Sequence, residues 1–117
     1  MISKAHRFEG QNGLLYVYRK GGTIRTKYAA AKFVVNKRRV DWRVAVVVSK
    51  KVAKAAPHRN RIRRRLYEQI RLLAPEYLKN HDVVITVFDA ELETVPPATI
   101  EKLVLSLLSD IAGSSQR

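Results

Sequence analysis

Hydrophobic and polar positions in this chain follow two different periods. Ile62, Leu66, Ile70 and Leu73 recur at spacings of four, four and three, which places them on one face of an α-helix. Pro57 suits the first turn of that helix, where its missing N–H costs nothing, and Pro75 marks the expected end. Ile100, Leu103, Val104, Leu107, Leu108 and Ile111 form a second helical face, with Gly113 as its expected C-cap. Other segments read as strands. Arg43 to Ser49 (RVAVVVS) is rich in β-branched valine and predicts a central strand. Asp82 to Phe88 (DVVITVF) is nearly all apolar and predicts a strand buried on both faces or at the sheet centre. Thr23 to Asn36 predicts one extended strand, with Tyr28, Ala30, Lys32 and Val34 on one face and Ala29, Ala31, Phe33 and Val35 on the other.

Between these segments lie turns. Gly21-Gly22 ends the run Leu14 to Tyr18 (LLYVY), which is too short for periodicity to separate strand from helix. Lys37-Arg38-Arg39 and Asp41 form a charged turn, and Glu91 to Pro97 is a loop with two prolines. Residues 1–13 are polar and expected to be loose at the start, with Arg7 and Phe8 as anchors. The order is an undecided first element, then strand, strand, helix, strand, helix. It predicts an α+β sandwich with one sheet packed by helices. A length of 117 residues fits one domain, assigned to residues 1–113, with 114–117 expected as a disordered tail.

The chain has no cysteine, so disulfide and thiolate chemistry are excluded, in keeping with a reducing compartment. The longest apolar run, Val44 to Val48, is too short to span a bilayer, and the N-terminus lacks the apolar core of a signal peptide. A cytoplasmic protein without membrane attachment is the expectation.

Charge changes the picture most. Residues 1–65 carry 19 Lys and Arg against Glu9 and Asp41, a net of +17, whereas residues 66–117 carry four against eight acids, a net of −4. A charge that served solubility alone would be spread evenly. Concentration in one half points to a polyanionic partner. Five arginines fall within Arg59 to Arg65, and like charges at i,i+4 on one helix repel by a few tenths of a kcal/mol per pair. A phosphate-rich partner explains that arrangement; stability does not. Arginine's planar fork holds phosphate bidentately or stacks on a base. The cluster also lies near the positive end of its own helix, and Asn60 within it both donates and accepts, which suits a 2′-hydroxyl or a base edge.

At these residues the sequence resembles the bacterial ribonuclease P protein family. The family's arginine–asparagine–arginine motif stands here as Arg59-Asn60-Arg61, followed by Ile62-Arg63-Arg64-Arg65-Leu66. Before it, Val48-Ser49-Lys50-Lys51-Val52 is similar to the serine–lysine–lysine strand end that leads into the same helix. Departures are a longer link from Lys51 to Arg59 that carries Pro57, Tyr67 at a basic position, and Leu14 in place of an aromatic. The resemblance implies a ribosomal-protein-type fold of order α-β-β-α-β-α with a left-handed βαβ crossover, so that Leu14 to Tyr18 is helical. It also implies a function: the protein partner of ribonuclease P RNA, assisting removal of the 5′ leader from precursor tRNA. The RNA subunit is then the catalyst and holds the active-site Mg²⁺, and no small-molecule substrate is expected.

By the same resemblance, Arg59, Asn60, Arg61, Arg63 and Arg64 face the RNA subunit, joined by Arg65 and, from the strand end, by Lys50 and Lys51. Leader binding calls for an exposed sheet face with aromatics to stack on and cations along the backbone. Tyr18, Tyr28 and Phe33 are the candidates, with Arg19, Arg25 and Lys27, and Tyr28 is preferred. Phe33 alternates with alanines and reads as core. His81-Asp82 and Asp89-Glu91-Glu93 sit where carboxylates are ordinarily turn residues. No His/Cys spacing suggests zinc, and no nucleophile–base pair, P-loop or dinucleotide fingerprint is present. No catalytic or metal-ligating residue is therefore assigned to the protein. A ribosomal or ribosome-assembly RNA-binding protein shares the charge and fold class but leaves the paired motifs unexplained. A peripheral membrane protein needs bulky apolar residues free for insertion, and here the helix's apolar stripe is needed for the core.

Overall fold

The structure, a computed structural model, describes residues 2–115, the side chain of Ser115 excepted. In chain order its elements are α1 (Asn12–Lys20), β1 (Gly22–Arg25), β2 (Ala29–Val35), β3 (Arg43–Val47), α2 (Ala56–Tyr77), β4 (His81–Val87) and α3 (Pro97–Ser115), with 3₁₀ turns at Lys4–His6 and Ala90–Glu93. The strands form one mixed sheet in the order β1-β2-β4-β3. β1 pairs antiparallel with β2, β2 antiparallel with β4, and β3 parallel with β4. A parallel pair needs a long crossover, and α2 supplies it.

The two sheet faces differ. Ala29 and Ala31 of β2, Val44 and Val46 of β3, and Val83, Ile85 and Val87 of β4 are buried in one cluster with Ile62, Leu66 and Ile70 of α2 and Ile100, Val104, Leu107, Leu108 and Ile111 of α3. Each large side chain so buried contributes roughly 1.5–3 kcal/mol. On the other face, Val17 of α1 and Val84 of β4 are fully buried outside that cluster, and Lys32 Nζ donates to the Tyr18 carbonyl at 3.3 Å. α1 therefore crosses the face opposite α2 and α3. It covers that face only in part: Ala30, Ala45, Val47 and Thr86 remain partly exposed beside it.

Several local expectations are corrected. Thr23 to Asn36 is a hairpin, not one strand. Thr26 Oγ1 donates to the Ala29 carbonyl at 2.8 Å and accepts from the N–H groups of Tyr28 and Ala29. A threonine side chain thus closes the turn that glycine or asparagine more often signals. β3 is an edge strand, not a central one. α2 runs through Pro75 to Tyr77; Pro75 lies so close to the end that only the carbonyl of exposed Arg71 loses its helical partner. Gly113 is helical rather than a C-cap, and α3 continues to Ser115, two residues into the expected tail; residues 116 and 117 lie outside the described residues. The N-terminal segment is anchored. Ile2 is in the core, and His6 stacks on buried Trp42 with centroids 3.8 Å apart while its Nδ1 donates to the Trp42 carbonyl. Gly21 ends α1, donating its N–H to the Val17 carbonyl; a Cβ there would sit 2.5 Å from that oxygen and 2.9 Å from the Phe33 carbonyl.

Tyr67 ties the crossover to the sheet. It is buried, and its hydroxyl accepts from the Val46 N–H at 2.9 Å, satisfying a donor on the edge strand that would otherwise be unpaired. Burial pushes the hydroxyl above its ordinary range, outweighing the opposing effects of the Val46 bond and of Arg63 and Arg7. Its stabilisation is therefore complete at neutral pH and is lost as pH rises above about 10. Tyr67→Phe is expected to lower stability by about 1–2 kcal/mol, read as a lower urea midpoint with an unchanged slope.

Candidate nucleic-acid interface

α2 sorts its residues by face. With Ile62, Leu66 and Ile70 fully buried, Arg61, Arg64 and Arg71 emerge exposed and Arg59, Arg63 and Arg65 half-buried. The helix starts after Ala55, which has no side-chain acceptor, and its first turn has no acid. Its N-terminal N–H groups and positive dipole end thus stand beside the densest cations in the chain.

The arginines are not equivalent. Arg65 reaches across to the loop before α3, donating to the Leu92 carbonyl at 2.7 Å and also to the Val95 carbonyl. Arg59 donates to the carbonyls of Ala53 and Lys54 at 2.9 and 2.6 Å and braces the linker that carries Lys50 and Lys51 toward the helix. Arg63 donates to Asn60 Oδ1. Arg61 Nη1 pairs with Glu93 Oε2 at 2.7 Å, and the same carboxylate accepts from His58 Nδ1. These bonds, that from His58 first, hold the Glu93 carboxyl below its ordinary range. The side chains of Arg64, Lys50 and Lys51 make no hydrogen bond or ion pair among the described residues and are exposed. The predicted RNA-facing set thus lies together at the start of α2, but Arg65 and Arg59 are committed to holding the chain around it.

One end of the partly open sheet face leads toward the start of α2. β3 and β4 are parallel and both end there: β3 leads into Lys50 and Lys51, and β4 leads through Phe88 to the loop clamped by Arg65 and Glu93. Along β4, Asp82, Val84 and Thr86 face the α1 side, and Phe88 continues that row. Its ring is 41 % exposed and lies under the Arg25 guanidinium, 4.6 Å from the centroid. Arg25 pairs with Ala30, which pairs with Thr86, so cation and ring share the open face. Tyr18, 39 % exposed, stands on α1 above Lys32.

The predicted leader residues are therefore divided. Tyr18, Arg19 and Arg25 lie on or beside α1 and the open face. Tyr28 and Lys27 do not, because the Thr26 turn rotates Tyr28 out of the strand alternation. Tyr28 packs against the core on the helix side, next to Leu103 and Ser106 of α3, with Lys27 Nζ 5.3 Å from its ring centroid. Three residues that the structure places at or beside these surfaces were not assigned to them from sequence: Phe88, Lys32 and Glu93. The period-two row Asp82, Val84, Thr86, Phe88 was the available signal for Phe88, since two polar members mark a face that is not all core. Nothing in sequence pairs Glu93 with residues more than thirty positions away.

The division predicts opposite phenotypes for neighbouring arginines. Arg65→Ala is expected to destabilise the fold by about 2 kcal/mol, since it leaves two carbonyls without a charged donor. Arg64→Ala is expected to stay within about 0.5 kcal/mol of the parent. Urea denaturation of both variants checks this.

Comparisons with known proteins identify the family. A model of the family described as "Ribonuclease P" matches residues 2–112. A "Ribonuclease P protein component" from Pseudanabaena sp. (strain PCC 6903) is 32% identical over 87 residues, covering 74% of this chain and 75% of that one. A protein of the same description from Symbiobacterium thermophilum is 28% identical over 99% of this chain and 98% of its own. Among solved structures, the ribonuclease P protein from Thermotoga maritima superposes with a TM-score of 0.78 at 25% identity, covering 89% of this chain and 96% of that one. The Staphylococcus aureus protein superposes at 0.76 and 22%, covering 93% and 96%, a likeness of fold. A ribosomal or assembly protein is not favoured by these matches. A family match along nearly the whole chain, joined to the arginine–asparagine–arginine helix in its expected place, means that this chain belongs to the ribonuclease P protein family.

Proposed function

We propose that this protein grips the 5′ leader of precursor tRNA on its open sheet face while the start of α2 rests on ribonuclease P RNA, which performs the cleavage. Membership of the family makes it a component of an endoribonuclease that processes tRNA in partnership with that RNA. The observation that carries the finer reading is that the cations Lys50 and Lys51 follow β3 at the same end of the sheet as Arg25 and Phe88 of the open face, with Lys32 and Tyr18 farther along that face.

That juxtaposition has a physical use. Catalytic RNA and precursor are both polyanions and repel each other. A protein that neutralises phosphates releases counterions and lowers the divalent ion concentration needed to bring the two together. Stacking on aromatics is sequence-tolerant and worth about 1–3 kcal/mol per base, which suits leaders of varied sequence. A leader held this way favours precursor over mature tRNA, because only the precursor makes the contact. In this reading the Mg²⁺ is held by the RNA. Cytoplasmic action on tRNA belongs to the same proposal.

Cleavage of a precursor tRNA by ribonuclease P RNA at limiting Mg²⁺, with and without the protein and with the protein alone, tests the reading. Restoration of cleavage at the mature 5′ end only when both are present is expected; cleavage by the protein alone, or no gain with a matched RNA, contradicts it. Tyr18→Ala and Phe88→Ala are each expected to weaken binding of leader-bearing precursor by about tenfold while leaving mature tRNA unaffected. Equal losses on both RNAs would assign these rings to some other role.

A further inference from the structure

At the end of the sheet away from the arginine cluster, α1 and the β2–β3 turn enclose a half-open pocket of about 490 Å³, within the range of about 300–1,000 Å³ typical of small-ligand sites. Its walls are Tyr16 of α1, 51 % exposed, and Val35 at the end of β2, 43 % exposed. Lys37 and Arg38 stand at the rim, both exposed. Gly13 forms part of the α1 wall; a Cβ there would come within 3.0 Å of the Phe8 ring and 3.4 Å of Arg43 Nη2.

The floor is polar and preorganised. Arg43 donates to Asp82 through Nε at 2.9 Å and Nη2 at 2.7 Å, and Asn36 Nδ2 donates to the same carboxylate at 3.0 Å. Asn36 Oδ1 in turn accepts from the Arg38 N–H, and its backbone N–H donates to the Asn80 carbonyl at 2.7 Å. The turn that presents Lys37 and Arg38 is therefore held in shape before any ligand arrives. An aromatic ring, an apolar side chain and two rim cations match an unstacked ribonucleotide: base against Tyr16, phosphate at Lys37 and Arg38. Because the floor groups already bond to one another, they are poorly placed to read a base edge, and recognition would rest on stacking.

We propose that this pocket receives a nucleotide of the precursor's leader farther from the cleavage site than those on the open face. The site lies on the same track. Asp82 and Arg43 belong to the row Val34–Asp82–Arg43 on the α1 side of the sheet, and Thr86 and Val47 to a row nearer the arginine cluster. Arg43 and Val47 are separated by four residues of strand, roughly 13 Å. A strand of RNA leaving the cluster and passing Tyr18 and Lys32 reaches the pocket next. This inference rests on the leader reading above and extends it.

The test is the affinity of the reconstituted holoenzyme for precursors whose leaders are lengthened one nucleotide at a time. For the parent protein, affinity is expected to rise with length and to include a late gain of about tenfold, the size of one base stack. Tyr16→Ala should abolish that late gain, and an abasic nucleotide at the same leader position should abolish it without adding to the effect of Tyr16→Ala. The double variant Lys37→Ala/Arg38→Ala should flatten the salt dependence of the long-leader complex alone. All three side chains are exposed, so the variants should fold, and their unfolding midpoints serve as the control. Length profiles of the variants that superimpose on the parent's would overturn the pocket while leaving the open face intact. A parent profile with no dependence on leader length would overturn the leader reading itself. A loss by Tyr16→Ala in binding the RNA subunit without substrate would assign the pocket to a nucleotide of that RNA and overturn the leader as its occupant.

Discussion

Burial of the α2 stripe under the sheet is the constraint from which the rest follows. Ile62, Leu66 and Ile70 are each fully buried, which fixes the rotation of the helix about its axis. Once that rotation is set, Arg64 has only solvent or a partner to face, while Arg61 and Arg71 stand exposed beside Glu93 and Glu68. The parallel pairing of β3 with β4 requires a crossover, and the crossover is this same helix. The element that closes the sheet therefore also presents the charge, and its N-terminus must fall where β3 ends, beside Lys50 and Lys51. Tyr67 secures the arrangement from within by bonding the Val46 N–H on the edge strand.

A basic protein must also hold its own charges in place, and here some of the cations serve that purpose. Arg65 and Arg59 donate to backbone carbonyls of adjoining segments. Arg43 is bound bidentately to buried Asp82, and Arg61 shares Glu93 with His58. The acids that face cations are thus placed to organise them: Asp82 beneath the far pocket, Glu93 beside the helix start. Net charge sets long-range attraction for RNA, whereas these pairs set where the cations stand when RNA arrives. An arginine already bonded to a carbonyl or carboxylate retains other N–H donors, so structural and RNA-binding roles are compatible for Arg59 and Arg61. Arg65, with its donors directed at Leu92 and Val95, is the most structural of the group.

Long, strongly periodic segments were legible from sequence. The α2 stripe, the α3 face and the buried strand β4 appear where the spacing puts them, because burial on a helix or in a sheet centre leaves a period that few substitutions blur. Local exceptions were not legible. The Thr26 turn depends on one hydroxyl meeting two N–H groups, and a threonine within a strand-like run gives no warning of it; missing it misplaced Tyr28. The edge position of β3 depends on which strand β4 pairs with, a long-range choice absent from the valine run itself. The grouping of the candidate cations around the start of α2 was legible in outline through the charge asymmetry and the paired motifs. Its division into bracing and unengaged arginines was not, since a guanidinium binds a phosphate and a carbonyl with the same donors.

On the proposed function, the cations around the start of α2 meet the phosphates of ribonuclease P RNA. The most direct test of that contact is the salt dependence of binding to that RNA, compared between the parent and the triple variant Lys50→Ala/Lys51→Ala/Arg64→Ala. These three side chains have no partner among the described residues, so the fold should be undisturbed. Every phosphate left without its cation makes the slope of log affinity against log salt shallower by about 0.7–0.9. The variant's slope should therefore be shallower by about 2–3, with its unfolding midpoint unchanged. Parallel lines for parent and variant would contradict the account and move the RNA-binding surface elsewhere on the molecule.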